Sequence, residues 1–247
     1  IYFGDVTHDF GMRTRVVPMG IATLASALKD RFKDKVFTKL FVYPEKIFKE
    51  VDNSPPDIIA LSNYIWNSKL SLKILKEVKK KFPDTLTVMG GPHCRTDADG
   101  LRTFLEKNPF LDAYIPFEAE NPIVNLVDHC LKVEKPTLQL LSNVEGVYLN
   151  KKSYEFKKLL PKKTDKKAKY NSDYYTINQF SSPYLSGMLD EFLDDPQLSP
   201  LLESNRGCPY SCTFCAWGVG SGNKLIKKNF HKFLSEIWYI AQRSKND

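Results

Sequence analysis

The sequence predicts an α/β protein: a doubly wound, five-stranded parallel sheet over residues 1–135, a connector over 136–200, and the opening of a further domain over 201–247. Three observations lead there. Short, continuously apolar runs alternate with amphipathic helical stripes through the first 135 residues. That alternation then gives way to a lysine-rich and Tyr/Ser/Pro-rich stretch. Three cysteines, Cys208, Cys212 and Cys215, follow within eight residues.

The strand candidates are residues 1–3, 37–43, 57–62, 85–89 and 113–117. Runs such as Ile58-Ile59-Ala60-Leu61 are apolar without alternation, as a parallel sheet covered on both faces requires. Helical stripes lie between them. Ile21, Leu24, Ala25 and Leu28 repeat at i, i+3, i+4, i+7, as do Ile123, Leu126, Val127 and Cys130. Leu72, Leu75, Val78 and Phe82 form a similar stripe, and residues 46–52 and 97–106 are shorter helix candidates. In a doubly wound sheet ligands bind beyond the carboxyl ends of the strands, so the loops after each strand are where a site is sought. Residues 146–149 and 153–156 alternate around Asn150-Lys151-Lys152 and predict a β-hairpin. A new unit then opens at Leu201-Leu202, followed by the cysteine loop and a helix over 230–243. One strand, one loop and one helix cannot bury a core alone, so the sequence reads as cut short, and Ile1 suggests the same of the amino end.

The 247 residues are 42% hydrophobic and 26% charged, an ordinary globular balance. No run approaches the roughly 18 to 20 apolar residues that cross a bilayer, and the first twenty residues lack a signal-peptide pattern. The expectation is a cytoplasmic protein with no membrane partner. The net charge of +7 would suggest nucleic acid if it were dispersed. Instead, residues 151–169 hold nine lysines against Glu155 and Asp165, and nine minus two accounts for the whole excess. The tract reads as a solvated basic loop. An RNA- or phosphate-binding arm is the alternative, but no aromatic ladder accompanies it.

Cys208-Pro209-Tyr210-Ser211-Cys212-Thr213-Phe214-Cys215 is a CxxxCxxC array. Three soft thiolates on one short loop suit three corners of a [4Fe-4S] cluster and leave the fourth iron open for chemistry. A structural zinc site is the alternative. Zinc closes with four ligands, and His231, sixteen residues past Cys215, is the only nearby fourth. Cys94 and Cys130 stand apart and read as ordinary partly buried thiols. Five cysteines so distributed are not a secreted disulfide framework.

The run from Arg206 to Cys215 resembles the signature of radical S-adenosylmethionine enzymes. The resemblance implies that Cys208, Cys212 and Cys215 ligate the cluster, that S-adenosylmethionine chelates its open iron, and that Phe214 flanks the adenine. It further implies reductive cleavage to a 5′-deoxyadenosyl radical, an external electron donor such as flavodoxin or ferredoxin, and residues 201–247 as the first βα unit of a partial TIM barrel.

The first 135 residues resemble the Rossmann-like cobalamin-binding domain of the class B members of that family. The matching segments are Val17-Pro18-Met19-Gly20-Ile21-Ala22-Thr23-Leu24, Leu61-Ser62-Asn63-Tyr64, Gly90-Gly91-Pro92-His93 and Phe117-Glu118-Ala119-Glu120. This implies cobalamin contacts at Ser62, Asn63, Tyr64, Gly90, Gly91, Pro92, His93, Phe117, Glu118 and Glu120. Gly90 and Gly91 can adopt φ > 0 and admit a close backbone approach; a tight turn with no ligand is the alternative. Asp5-Val6-Thr7-His8-Asp9-Phe10-Gly11 approximates the Asp-x-His-x-x-Gly of corrinoid methyltransferases with the aspartate one place too far upstream. His8 is therefore the candidate cobalt ligand and His93 a weaker one, while His129 reads as structural.

These features together predict a cobalamin-dependent radical enzyme that methylates an unactivated carbon or a phosphinate of a small-molecule substrate. A cyclase or rearrangement enzyme of the same class is the nearest alternative. A tRNA methylthiotransferase would carry three further amino-terminal cysteines, and only Cys94 and Cys130 are present. A corrinoid-binding module without enzymatic activity is the remaining alternative.

Overall fold

A computed structural model describes residues 1–7, 15–94, 98–116, 118–133, 138, 141, 144–151, 177–210, 212–214 and 225–245. It divides into two compact units, Ile1–Arg13 with Gly20–Leu159, and Thr14–Met19 with Leu160–Asp247.

The first unit is built on strands β1 (Tyr2–Gly4), β3 (Lys39–Phe41), β4 (Ile58–Ser62), β5 (Leu86–Gly90), β6 (Ala113–Ile115) and β7 (Tyr148–Leu149). Their order is β3-β1-β4-β5-β6-β7; the first five are parallel and β7 is antiparallel to β6. Helices α1 (Met19–Phe32), α2 (Pro44–Asn53), α3 (Ser68–Lys81), α4 (Ala98–Lys107) and α5 (Glu120–Cys130) alternate with the strands. All five predicted strands and all five predicted helices form. The parallel strands run 2-1-3-4-5 in chain order, the flavodoxin-like winding, which reverses direction between β1 and β4.

Side-chain alternation divides the core. Tyr2, Ile59, Leu61, Met89 and Tyr114 point to one face, where Ile47 and Val51 of α2, Ile74, Leu75 and Val78 of α3, and Leu101 and Leu105 of α4 cover them. Phe3, Ile58, Ala60, Val88 and Ala113 are buried on the opposite face, left to α1 and α5. Pro44 opens α2, where its fixed φ and missing N–H are harmless, and Pro83 follows directly on the cap of α3. The fifth strand stops at Ile115, ahead of Pro116, two residues short of the expected span.

One expectation is corrected. Tyr148–Leu149 does not open a separate hairpin but joins the main sheet, pairing Leu149 with Ala113 and Tyr148 with Tyr114. Without it β6 would be an open edge with unpaired N–H and C=O groups. Asn150 then donates from Nδ2 to the carbonyls of Leu105 and Leu111, tying the new strand to the end of α4. The expected second arm, 153–156, lies outside the described residues.

In the second unit β2 (Arg15–Val16) pairs in parallel with β8 (Leu198–Ser199), and Arg15 Nη1 donates to Gln197 Oε1 at 2.6 Å. Strands β9 (Asn205–Arg206) and β10 (Ile226–Lys227) form an antiparallel ribbon. A short helix α6 (Asp190–Leu193) precedes the ribbon and α7 (Phe230–Arg243) follows it. Tyr239 donates to Asp190 and Arg243 pairs with the same carboxylate, joining the two helices. Ile177, Tyr184, Leu189, Phe192, Leu193 and Leu198 are buried here. The apolar pair Leu201-Leu202 is not the strand expected of it. Both main-chain groups of Leu201 bond to the Tyr184 hydroxyl, at 2.7 and 3.3 Å, in place of a strand partner, and the strand begins at Asn205.

Candidate functional site

In-register pairing of Ser62 with Gly90 and of Gly90 with Ile115 brings the carboxyl ends of β4, β5 and β6 level, with Gly4 of β1 beside Leu61. The loops that leave these ends form one rim at the point where the winding reverses. Asn63 laces the rim together. Its main-chain N–H donates to the Gly90 carbonyl at 2.6 Å and its carbonyl accepts from His93 N–H at 3.1 Å. Its side-chain amide donates to the His93 carbonyl at 2.8 Å and to the Tyr114 hydroxyl at 2.9 Å. Tyr114 in turn donates to the Gly91 carbonyl at 2.6 Å. Asn63 is fully buried, and its Oδ1 has no hydrogen-bond partner among the described residues. Burial drives the Tyr114 pKa well above the ordinary phenol range, so that hydroxyl remains a donor.

The two rim glycines are required for different reasons. Gly91 sits at φ +126°, and a Cβ there would approach the Asn63 carbonyl oxygen to 2.8 Å. Gly90 does not have the positive φ anticipated for it. Its own constraint is the Ile115 carbonyl, 2.8 Å from where a Cβ would stand. Both glycines are thus needed first so that neighbouring backbones can close up. Beyond them Pro92 and the His93 side chain are exposed and Cys94 is half-buried.

On the β1 side Ser62 Oγ donates to Asp5 Oδ1 at 2.6 Å. Asn67 Nδ2 donates to Ser62 Oγ at 2.8 Å and to Asp5 Oδ1 at 3.2 Å, while Asn67 Oδ1 accepts from Tyr64 N–H at 2.8 Å. Burial raises the Asp5 pKa; the hydrogen bonds from Ser62 and Asn67 oppose that shift without cancelling it. Tyr64 and Trp66 stack with ring centroids 4.6 Å apart and planes 4° apart. Ile65 is 76% and Trp66 57% exposed, so the rim presents an apolar shelf beside its polar ends. Position Gly20, at the start of α1, faces Tyr64, with the phenol oxygen 3.9 Å from an added Cβ. Glu118 is half-buried and Glu120 is buried at the first turn of α5, where a carboxylate complements the helix dipole. Phe117 and His8 lie outside the described residues.

Asp5, Ile65, Trp66 and Asn67 are rim residues that the motif reading passed over. Trp66 and Asn67 follow Tyr64 directly, so reading the loop to its end would have included them. In the sequence Asp5 is only a displaced motif aspartate, and its bond to Ser62 crosses fifty-seven positions of sequence.

The cysteine segment opens at β9. Gly207 takes φ +84° directly after the strand and turns the chain into the loop. Cys208 is half-buried, Cys212 is exposed, and Phe214 is 92% exposed. Cys215 lies outside the described residues, so two of the three proposed thiols are described and the set as a whole is not tested. The β9–β10 ribbon closes the mouth of the segment, extended by Lys228 N–H donating to the Ser204 carbonyl at 2.9 Å. Arg206 and Glu203 pair in a two-point contact of 2.7 and 3.0 Å beside it. Under the ribbon Lys228 forms a buried ion pair with Glu236 of α7, whose second oxygen has no hydrogen-bond partner among the described residues. His231 is exposed on α7, His129 is half-buried on α5, and Cys130 is buried with its thiol pushed up to about 12 by that burial. Among the described residues no group of three His, Cys, Asp or Glu could hold a metal ion.

Comparison with known proteins gives this geometry a context. Residues 12–127 match the B12 binding domain family. The chain is 32% identical over 202 residues to the cobalamin-dependent radical SAM methyltransferase TokK of Streptomyces tokunonensis. It is 30% identical over 202 residues to the 2-(S-pantetheinyl)-carbapenam-3-carboxylate methyltransferase of Streptantibioticus cattleyicolor. Each alignment covers 78% of this chain and 26% of the relative, so the chain spans about a quarter of their length. The solved structure of the cobalamin-dependent S-adenosylmethionine radical enzyme OxsB, with aqua-cobalamin and S-adenosylmethionine bound, superposes with a TM-score of 0.67 at 20% identity. That superposition covers 98% of this chain and 31% of that one, and it speaks to the fold. The B12-binding match falls largely on the first unit, whose parallel strands have the flavodoxin-like order. TokK and OxsB, among the proteins this chain resembles, are cobalamin-dependent radical S-adenosylmethionine enzymes, the class the sequence resemblance implied.

The rim residues suit a corrinoid. A corrin is flat and fringed with amides, and it needs main-chain and small polar partners next to an apolar surface. The strand ends supply the first in Ser62, Gly90 and Gly91, and the exposed Ile65 and Trp66 supply the second. A three-thiolate donor set on one loop likewise suits an iron–sulfur cluster.

Proposed function

We propose that this chain is part of a cobalamin-dependent radical S-adenosylmethionine methyltransferase acting on an unactivated carbon or a phosphinate of a small-molecule substrate. The observation that carries the reading is the laced rim at the winding reversal of a B12-binding domain, ahead of a CxxxCxxC loop in the same chain. When bound, cobalamin would carry the methyl group, and a [4Fe-4S] cluster on Cys208, Cys212 and Cys215 would supply the electron that cleaves S-adenosylmethionine.

The chain's own residues bind, orient and exclude solvent. The Asn63–His93–Tyr114 lacing holds the β4 and β5 loops at fixed spacing, so the rim they form is preorganised for a ligand. Ser62, Asn67 and Asp5 hold the loop after β4 from the other side, which positions Tyr64 and Trp66 as an apolar shelf. Phe214, fully presented to its surroundings, would flank the adenine. Among the described residues no helix is long and apolar enough to cross a membrane.

Titrating the chain with hydroxocobalamin tests the first half of this reading. Saturable binding with a base-off spectrum is expected, and folded protein that shows no binding would refute the cobalamin assignment. Anaerobic reconstitution with iron and sulfide tests the second half. Replacing any one of Cys208, Cys212 or Cys215 with alanine should abolish the cluster absorbance, whereas Cys94→Ala and Cys130→Ala should leave it intact. Loss of iron in Cys94→Ala would show the ligand assignment to be wrong.

A further inference from the structure

Helix α3 carries Lys69, Lys73, Lys76, Lys79, Lys80 and Lys81 against Glu77 alone, six minus one, or +5 within fourteen residues. Two of these lysines have structural partners. Lys79 Nζ lies 2.7 Å from Asp112 Oδ2, and Lys81 Nζ lies 2.6 Å from Asp52 Oδ1. The other four, Lys69, Lys73, Lys76 and Lys80, are all exposed and fall at i, i+4, i+7 and i+11. At that spacing they line one edge of the helix over about 16 Å. Among the described residues none of the four has an ion-pair partner.

Local electrostatics disfavour this arrangement. The line contains like-charge neighbours at i+4, i+3 and i+4 again, each unfavourable to the helix. Glu77, spaced to offset Lys73 and Lys80, leaves Lys69 and Lys76 without an acidic neighbour three or four residues away on the helix. Lys69 stands in the first turn, at the positive end of the helix dipole, and no acidic residue offsets it there. A merely solvated helix face commonly mixes signs. Here Glu77 is the one acidic residue beside the line, and the buried Ile74, Leu75 and Val78 on the reverse side fix the line in place.

We propose that the lysine line of α3 is the docking surface for an acidic electron-transfer protein, a small flavin- or iron–sulfur-bearing one-electron donor. The inference rests on the function proposed above, because both cofactors assigned there must receive electrons from outside the chain. In each encounter the donor is oxidised by one electron and a cofactor of this chain is reduced by one. Electron-transfer partners meet through small, weak interfaces that long-range charge assembles quickly. Lysine serves such a surface well, being a compact mobile charge without arginine's fixed fork. Nucleic acid fits less well, since α3 offers no arginine for bidentate contacts and no aromatic ring for stacking.

The test uses the intact chain loaded with hydroxocobalamin and mixed anaerobically with reduced flavodoxin, with cobalamin absorbance followed in time. In K69Q/K73Q/K76Q/K80Q the rate at low salt should fall by about tenfold or more, and added salt should bring the wild type down towards the variant. Reduction of both proteins by dithionite should be equal, and so should their bound cobalamin spectra. The charge reversal K73E/K76E should lower the flavodoxin rate at least as far. An unchanged flavodoxin rate in the quadruple variant overturns the proposal. So does a wild type that dithionite reduces and flavodoxin does not. RNA binding by the wild type that is lost in the variant, with flavodoxin unaffected, overturns it in favour of a nucleic-acid surface. If the wild type binds no cobalamin, the functional reading fails by itself. Calorimetric binding of flavodoxin then decides the docking surface, which requires wild-type affinity and its loss in the variant.

Discussion

Two rim residues carry opposite kinds of constraint, one conformational and one electrostatic. Gly91 holds φ +126° within 2.8 Å of a neighbouring carbonyl, so Gly91→Ala introduces both strain and a clash. Unfolding by urea should register a loss of about 1–3 kcal/mol, with weaker hydroxocobalamin binding in the protein that remains folded. Asp5 is held by Ser62 and Asn67 in a site whose burial raises its pKa above the ordinary 3.8. The folded state therefore holds the proton more tightly than the unfolded chain. The stabilisation this provides is fully present below the unfolded pKa and is lost as pH rises through the folded value. Asp5→Asn should flatten that part of the pH–stability profile and be at least as stable as the wild type at pH 7. Thermal melts between pH 4 and 8 would show it.

At the scale of elements, the β9–β10 ribbon and α7 frame the cysteine segment through a single buried ion pair. Lys228 and Glu236 are both almost wholly removed from solvent. Lys228→Met would strand the Glu236 carboxylate without its counter-charge, and chemical denaturation should show a loss of about 3–5 kcal/mol. The double variant Lys228→Met/Glu236→Leu should recover most of that, because no lone charge is left behind. Neither residue drew notice in the sequence. A lysine beside an asparagine and a glutamate within an amphipathic helix look like surface positions until the ribbon folds over them. The helix itself was legible, since Phe233, Ile237 and Ile240 repeat at its period. The fate of Tyr148–Leu149 was not, because a local hairpin and a partner for β6 have the same alternation and only the open edge of the sheet chooses between them.

Across the whole molecule, the basic excess of residues 151–169 is distant in sequence from the rim segments and from the line on α3. Replacing Lys162, Lys163, Lys166 and Lys167 with glutamine should leave hydroxocobalamin affinity within about twofold, as expected of a charge-bearing loop outside the corrin platform. Salt-dependent RNA binding that disappears in this variant would assign the tract to nucleic acid instead. This control also separates total charge from arranged charge, because only the α3 lysines are predicted to alter reduction by flavodoxin.

The alternation of elements, and through it the fold class, is written locally along the chain. A strand buried on both faces must be continuously apolar, and a helix covering it must repeat at 3.6 residues, so both patterns are local and readable. The three-cysteine spacing is local in the same sense. Tertiary structure alone decided which atoms meet. Asp5 bonds to Ser62 because β1 and β4 are neighbours in the sheet, and Gly91 must lack a side chain because Asn63 passes beside it. Ser62 and Gly90 stand level only because the parallel register aligns them. Such pairings bring together residues dozens of positions apart, and no periodicity along the chain records which strand lies next to which.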